Sequence, residues 1–250
     1  MKQKAKIWVI VGGAVALLII TIAANIVRLN SSVHDVVIAV KHPGAPQLVD
    51  QQTIKDSILA ALPHLTSTHV ADVDRERVAA AASSVPYIES ATASVSVSGK
   101  VVVKALQRRP IARLYYGRSE YYIDDNGVIF PISAMADCDV LVASGNFTEP
   151  LRIDSLNSQM TDLFKVALFL DRNNDYGLLI DHIYSEADGD IMLVPKLGDF
   201  VIELGDSENL ENKFSKLRAF YRNGLPRVGW DTYSRISLKY NEQVVCTKRK

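Results

Sequence analysis

The sequence lacks an excess of charge of either sign. Its 28 lysine and arginine residues are matched by 28 aspartate and glutamate residues, so no global field would draw it to nucleic acid, and no long one-sign run interrupts it. Only the outermost tails are basic, through Lys2, Lys4 and Lys6 at one end and Lys248, Arg249 and Lys250 at the other. Cysteine is scarce as well. Cys138 and Cys246 stand far apart in sequence, and two buried thiols fit as well as a disulfide. There is no phosphate-cradling glycine loop, no nucleophile elbow and no helical zinc motif; the glycines occur singly at turn positions. The histidines His34, His42, His64, His69 and His182 show none of the close pairings that a metal requires. No metal, cofactor or catalytic residue is expected.

Two patterns imitate a site. Asp171, Asn173 and Asp175 alternate as calcium-loop ligands do, but Tyr176 occupies the position where the tight turn needs glycine, and His182 replaces the closing glutamate. The segment reads instead as a helix end passing into a polar loop. Asp124-Asp125 resembles a carboxylate pair, yet the Asp125-Asn126-Gly127 turn accounts for it. No acid/base assignment survives, so the chain is not expected to be an enzyme.

What the sequence does hold is one long apolar run. From Ile7 to Val27 no charged residue occurs, and at about 1.5 Å per helical residue this stretch reaches roughly 30 Å, enough for a bilayer. A cleaved signal peptide is the competing reading, with Ala23 and Ala24 as small residues near a cleavage site, but its apolar core is usually only about 7 to 15 residues. Three lysines precede the run, while only Arg28 and Lys41 follow closely, so residues 1–6 are expected in the cytoplasm. Residues 28–34 then link the span to a folded part across the membrane, in the periplasm of a two-membrane cell.

That exported part reads as an α+β chain of two domains. Val36 to Val40 forms a strand, a helix capped by Asp50 runs to Pro63, and a second helix capped by Asp72 or Asp74 runs to Ser84. Period-two alternation from Ala91 to Val97, the Gly99-Lys100 turn and Val101 to Leu106 make a hairpin. The order is βααββ, over residues 35–106. Residues 107–246 read as a β-rich domain: strands at 111–116, 121–124, 128–132, 140–143, 179–184, 191–194 and 200–204, and helices at Ser155 to Leu170 and Glu208 to Tyr221. A final strand runs from Arg235 to Cys246, with Ile236, Leu238, Tyr240, Val244 and Cys246 on one face. A basic tail, 247–250, closes the chain.

The order of elements and several local phrases resemble the FtsQ/DivIB family of bacterial cell-division proteins. The phrases are Val85-Pro86-Tyr87-Ile88 before the hairpin, Arg109-Pro110-Ile111-Ala112-Arg113 with Tyr122-Ile123-Asp124-Asp125-Asn126-Gly127-Val128, and Leu238-Lys239-Tyr240 near the end. Two positions depart from the family pattern: Gln107 stands where an acidic residue is frequent, and Leu114 where an aromatic is. The resemblance implies an N-terminal transmembrane helix, a POTRA-type βααββ domain and a β-domain. It also implies a non-enzymatic divisome scaffold that binds FtsB- and FtsL-type coiled-coil proteins and other divisome membrane proteins, helps control septal peptidoglycan synthesis and sits at the septum of the inner membrane. An anchored cell-wall enzyme and a POTRA-type envelope adaptor or assembly factor are the alternatives.

The terminal strand is the expected partner site. A chain-terminal strand can be a sheet edge, and an open edge is a template for a partner's strand. Lys239, Tyr240, Glu242 and Val244 are the candidate contacts. Tyr240 is placed there by the resemblance, and a core aromatic is its other reading.

Overall fold

The computed structural model describes residues 13–23, 31–96, 98–147 and 158–250. Residues 13–23 form a helix, α1, with Val15, Leu17, Leu18, Ile19, Ile20 and Ile22 all exposed. No helix among the described residues is long and apolar enough to cross a membrane; residues 7–12 and 24–27 of the expected span, and the cytoplasmic tail, lie outside them. The chain divides into two compact units, one running to Arg108 and the other from Arg109 to Lys250, with Gly44–Pro46 grouped with the second.

The first unit has β1 (Asp35–Lys41), α2 (Gln51–Ala61), two short 3-10 turns, α3 (Arg75–Ser83), β2 (Ile88–Val95) and β3 (Lys100–Gln107). Local chemistry sets the helix ends. The Asp50 carboxylate accepts from Thr53 N–H at 2.6 Å, and Asp74, not Asp72, accepts from Arg77 N–H at 3.0 Å, each satisfying an orphan donor of the first turn. Asp72 lies instead in the preceding 3-10 turn. The helices bury Ile54, Ile58, Val78 and Ala82 against Val101 and Val103 of β3, the middle strand in the order β1-β3-β2. Each such fully buried isoleucine contributes roughly 1.5 to 3 kcal/mol. Gln107 is wholly buried and satisfied, its Oε1 accepting from Leu48 N–H at 2.7 Å and lying 3.0 Å from His42 Nδ1.

The second unit is one nine-stranded mixed sheet in the order β12-β11-β10-β9-β8-β7-β4-β5-β6. Its strands are β4 (Pro110–Tyr116), β5 (Ser119–Asp124), β6 (Ile129–Pro131), β7 (Leu141–Gly145), β8 (Ile180–Ser185), β9 (Ile191–Pro195), β10 (Val201–Gly205), β11 (Tyr233–Ser237) and β12 (Val245–Lys248). Helices α4 (Ser158–Arg172) and α6 (Leu210–Asn223) pack Leu163, Val166, Phe214 and Leu217 on Ile183, Leu193, Ile202 and Ile236. Two further one-turn helices, α5 (Asn174–Gly177) and α7 (Leu225–Val228), add to the two expected from sequence. The expected cap Ser155 lies outside the described residues.

The Asp-Asn-Gly turn forms as its chemistry dictates. Asp124 accepts from Asn126 N–H at 3.0 Å and Val128 N–H at 2.8 Å, and Gly127 adopts φ of 82°. Strand β7 extends through Gly145, beyond the expected end at Ala143, because a Cβ there would stand 2.6 Å from Ser185 O and only glycine lets β8 approach. Tyr122 fastens the segment before β7: its hydroxyl donates to Asp137 at 3.0 Å and accepts from Cys138 N–H at 3.0 Å. Both cysteines are free. Cys138 precedes β7 and Cys246 lies in β12, five strand spacings of about 4.8 Å away, so no disulfide joins them.

Candidate interaction edge at the end of the sheet

The stretch Arg235 to Cys246 is not one strand. It folds as a hairpin, β11 and β12 pairing antiparallel with Ile236 opposite Cys246 and Ser237 opposite Val245. The polar run Asn241-Glu242-Gln243 makes the bend, where Glu242 takes a φ of 63°. Alternation alone does not separate the two arrangements, because both put Ile236, Leu238, Val244 and Cys246 against the core.

The candidate residues are thereby gathered at the hairpin bend instead of along an edge strand. Two lysines shape the bend. Lys216 of α6 donates to Leu238 O at 3.2 Å and to Tyr240 O at 2.5 Å. Lys239 lays its stem across Gly205, where a Cβ would come within 2.8 Å of its Cγ, and its Nζ reaches Asp190 at 2.5 Å. The Asp190 carboxylate raises the Lys239 pKa, with Glu203 and Asp188 adding to the negative field. Tyr240 is 52% exposed, which removes the core-aromatic reading. Val244 is partly buried against the core, and Glu242 is exposed on the bend.

The edge itself is β12, and hydrogen-bond parity shows which of its groups are open. Leu238 N–H donates to Glu203 O at 2.8 Å, so even-numbered residues there address β10 and odd-numbered ones address β12. Ser237 and Arg235 therefore bond with Val245 and Thr247. Farther along, past a bulge between Tyr233 and Arg235 that shifts the β11 parity by one and pairs Tyr233 with Lys248, Arg249 N–H donates to Thr232 O at 3.0 Å. Val245, Thr247 and Arg249 thus turn their backbone groups inward. The N–H and C=O of Cys246 and Lys248 face the open side. Sequence reasoning missed these two, and also the supports Lys216 and Asp190; the only local signal was the polar tripeptide between two apolar pairs. The chain end is pinned by Arg249, which pairs with Asp199 through Nη1 at 2.7 Å and donates to the Asp199 carbonyl through Nη2.

The two patterns that imitated sites have structural partners. Asp171 forms a bidentate pair with Arg109, at 2.8 Å on both oxygens, and Arg109 also reaches Asp125 at 3.1 Å. These carboxylates hold the Arg109 pKa well above its ordinary value. Asn173 spends its amide on Phe169 O at 2.9 Å, and Asp175 belongs to α5. Among the described residues, no group of three His, Cys, Asp or Glu side chains is placed to hold a metal ion. Ser144 Oγ lies 2.7 Å from His182 Nε2, and burial lowers the His182 pKa, with Asp181 opposing.

The second unit is a mixed sheet that ends, among the described residues, in an edge strand beside an exposed aromatic. The family model described as FtsQ/DivIB, C-terminal related, matches residues 109–247, the second unit nearly end to end. The chain belongs to the FtsQ/DivIB family and is a cell-division protein. A search of curated proteins finds no match.

Proposed function

We propose that this protein is a non-enzymatic, membrane-anchored divisome scaffold. Its apolar N-terminal run spans the inner membrane, its POTRA-type βααββ unit and its β-domain lie in the periplasm, and β12 takes up an added strand from an FtsB/FtsL-type complex. Holding that complex at the septum contributes to the control of peptidoglycan synthesis. The observation that carries this reading is the open β12 edge, in a domain whose family is known. The bend beside it supplies Tyr240 as an exposed anchor, held in position by the two bonds from Lys216. The N–H and C=O groups of Cys246 and Lys248 offer up to four backbone hydrogen bonds at roughly 0.5 to 1.5 kcal/mol each, to which an aromatic anchor adds.

The test is a fluorescent fusion combined with co-purification from the membrane. The wild-type chain collects at midcell and retains the FtsB/FtsL-type pair. Tyr240→Ala keeps the fold and weakens retention at least tenfold. A uniform envelope distribution would support an assembly factor instead.

A further inference from the structure

Among the described residues, the sheet of the first unit has one face covered by α2 and α3 and one face bare. The bare face carries Val37, Ala39 and Lys41 from β1, Val102, Lys104 and Leu106 from β3, and Ser90, Thr92 and Ser94 from β2, in the cross-strand rows fixed by the register. Val37 is 39% exposed, and Ala39, Lys41 and Lys104 are exposed as well. Side chains there are short apart from the lysines, which leaves a shallow hollow of about 460 Å³ between Lys41, Thr92 and Lys104.

Helices α2 and α3 with their caps carry Asp50, Asp56, Asp74 and Glu76 against Lys55, Arg75 and Arg77, so the helical side is close to neutral. On the bare face neither Lys41 nor Lys104 has an ion-pair partner among the described residues. Of the carboxylates on the same strands, Asp35 is held by Lys55 at 2.8 Å and faces Lys100, and Glu89 lies at the bulged start of β2. A face that sets unpaired lysines beside apolar side chains, opposite a nearly neutral helical side, is the one drawn toward an anionic surface.

We infer that this face rests on the phosphate-bearing headgroup layer of the bilayer that anchors the chain, Lys41 and Lys104 meeting lipid phosphates while Val37, Val102 and Leu106 lie toward the interface. The inference rests on the proposed anchor. Its occupant follows from the tether: β1 begins eight residues after Val27, so at most roughly 27 Å of extended chain separates the unit from the membrane. An acidic protein partner would match the charge too, but nothing confines one to this distance. Each headgroup-facing lysine strengthens such an association about fivefold, and salt screens it within a Debye length of roughly 10 Å.

The experiment uses the full chain in nanodiscs, with Cys138→Ser and Cys246→Ser removing the native thiols. A nitroxide is placed on the bare face through Thr92→Cys or on the helical side through Glu76→Cys. In phosphatidylglycerol discs at low salt, a water-soluble nickel chelate should reach the Thr92 label at least threefold less than the Glu76 label. That protection should disappear in phosphatidylcholine discs, in 1 M salt, and in the Lys41→Gln, Lys104→Gln double variant. Equal access at both labels in phosphatidylglycerol overturns the inference. So does protection indifferent to lipid charge and salt, and so does protection that arises only when a partner protein is added. A carbonate wash of the same membranes separates the two readings: release of the chain refutes the anchor, whereas a retained chain with a wet Thr92 label refutes only the docking.

Discussion

At the scale of single residues, Arg109 ties three separate stretches of the second unit together, joining the start of β4 to the end of α4 and to the β5–β6 turn. Its bonds are charge-assisted but partly exposed, so their net worth is discounted to about 1 to 2 kcal/mol. Arg109→Ala should lower the unfolding free energy by that amount, read as a lower urea midpoint at unchanged slope, and Arg109→Lys should rescue little, since an ammonium cannot make the bidentate contact. An unchanged midpoint in both would make the network incidental. His182 supplies a pH dependence. Its folded-state pKa lies below its unfolded value near 6.5, so below that pH the unfolded chain binds more protons, and stability falls as pH drops through about 6.5 toward the lowered folded value. His182→Gln should flatten that slope in melts taken between pH 7.5 and 5. Legibility differed among these residues for a physical reason. Asp124 bonds to neighbours two and four positions away, so its turn is written locally. The partner of Arg109 lies 62 positions along the chain, where no spacing rule reaches.

At the scale of elements, the strands and helices were readable wherever one periodicity ran unbroken between Gly, Pro or Asp punctuation. The terminal hairpin was not, because reversing a strand onto its neighbour preserves the inward face: Ile236 and Cys246, ten positions apart, become cross-strand partners. Parity along β12 yields a sharp pair of variants. Proline at Thr247 removes an inward N–H and should destabilise the second unit by about 2 kcal/mol. Proline at Lys248 lies on the open side and should leave the melt nearly unchanged while weakening capture of the partner complex. Equal destabilisation by both would mean that the assigned parity is wrong. Gly145→Ala should also destabilise, since the added methyl meets the β8 backbone and not a flexible side-chain tip.

At the scale of the whole molecule, the division of labour follows from the sequence outward. The uncharged run is the proposed attachment, a βααββ unit follows it after a short stretch of sequence, and a mixed sheet ends in the edge strand β12. A reporter fused after Lys250 should be active only outside the cytoplasm, and the mature chain should still begin near Met1; a soluble form starting near Asn25 contradicts the anchor. The central claim is strand addition at β12, and backbone hydrogen exchange tests it most directly. In the free full-length chain the amides of Val245 and Thr247 should exchange slowly and those of Cys246 and Lys248 fast. On adding the FtsB/FtsL-type complex, Cys246 and Lys248 should slow by at least tenfold while β6, at the other edge, does not change. Tight binding that leaves both amides as fast as before would contradict the account and place the partner elsewhere on the molecule.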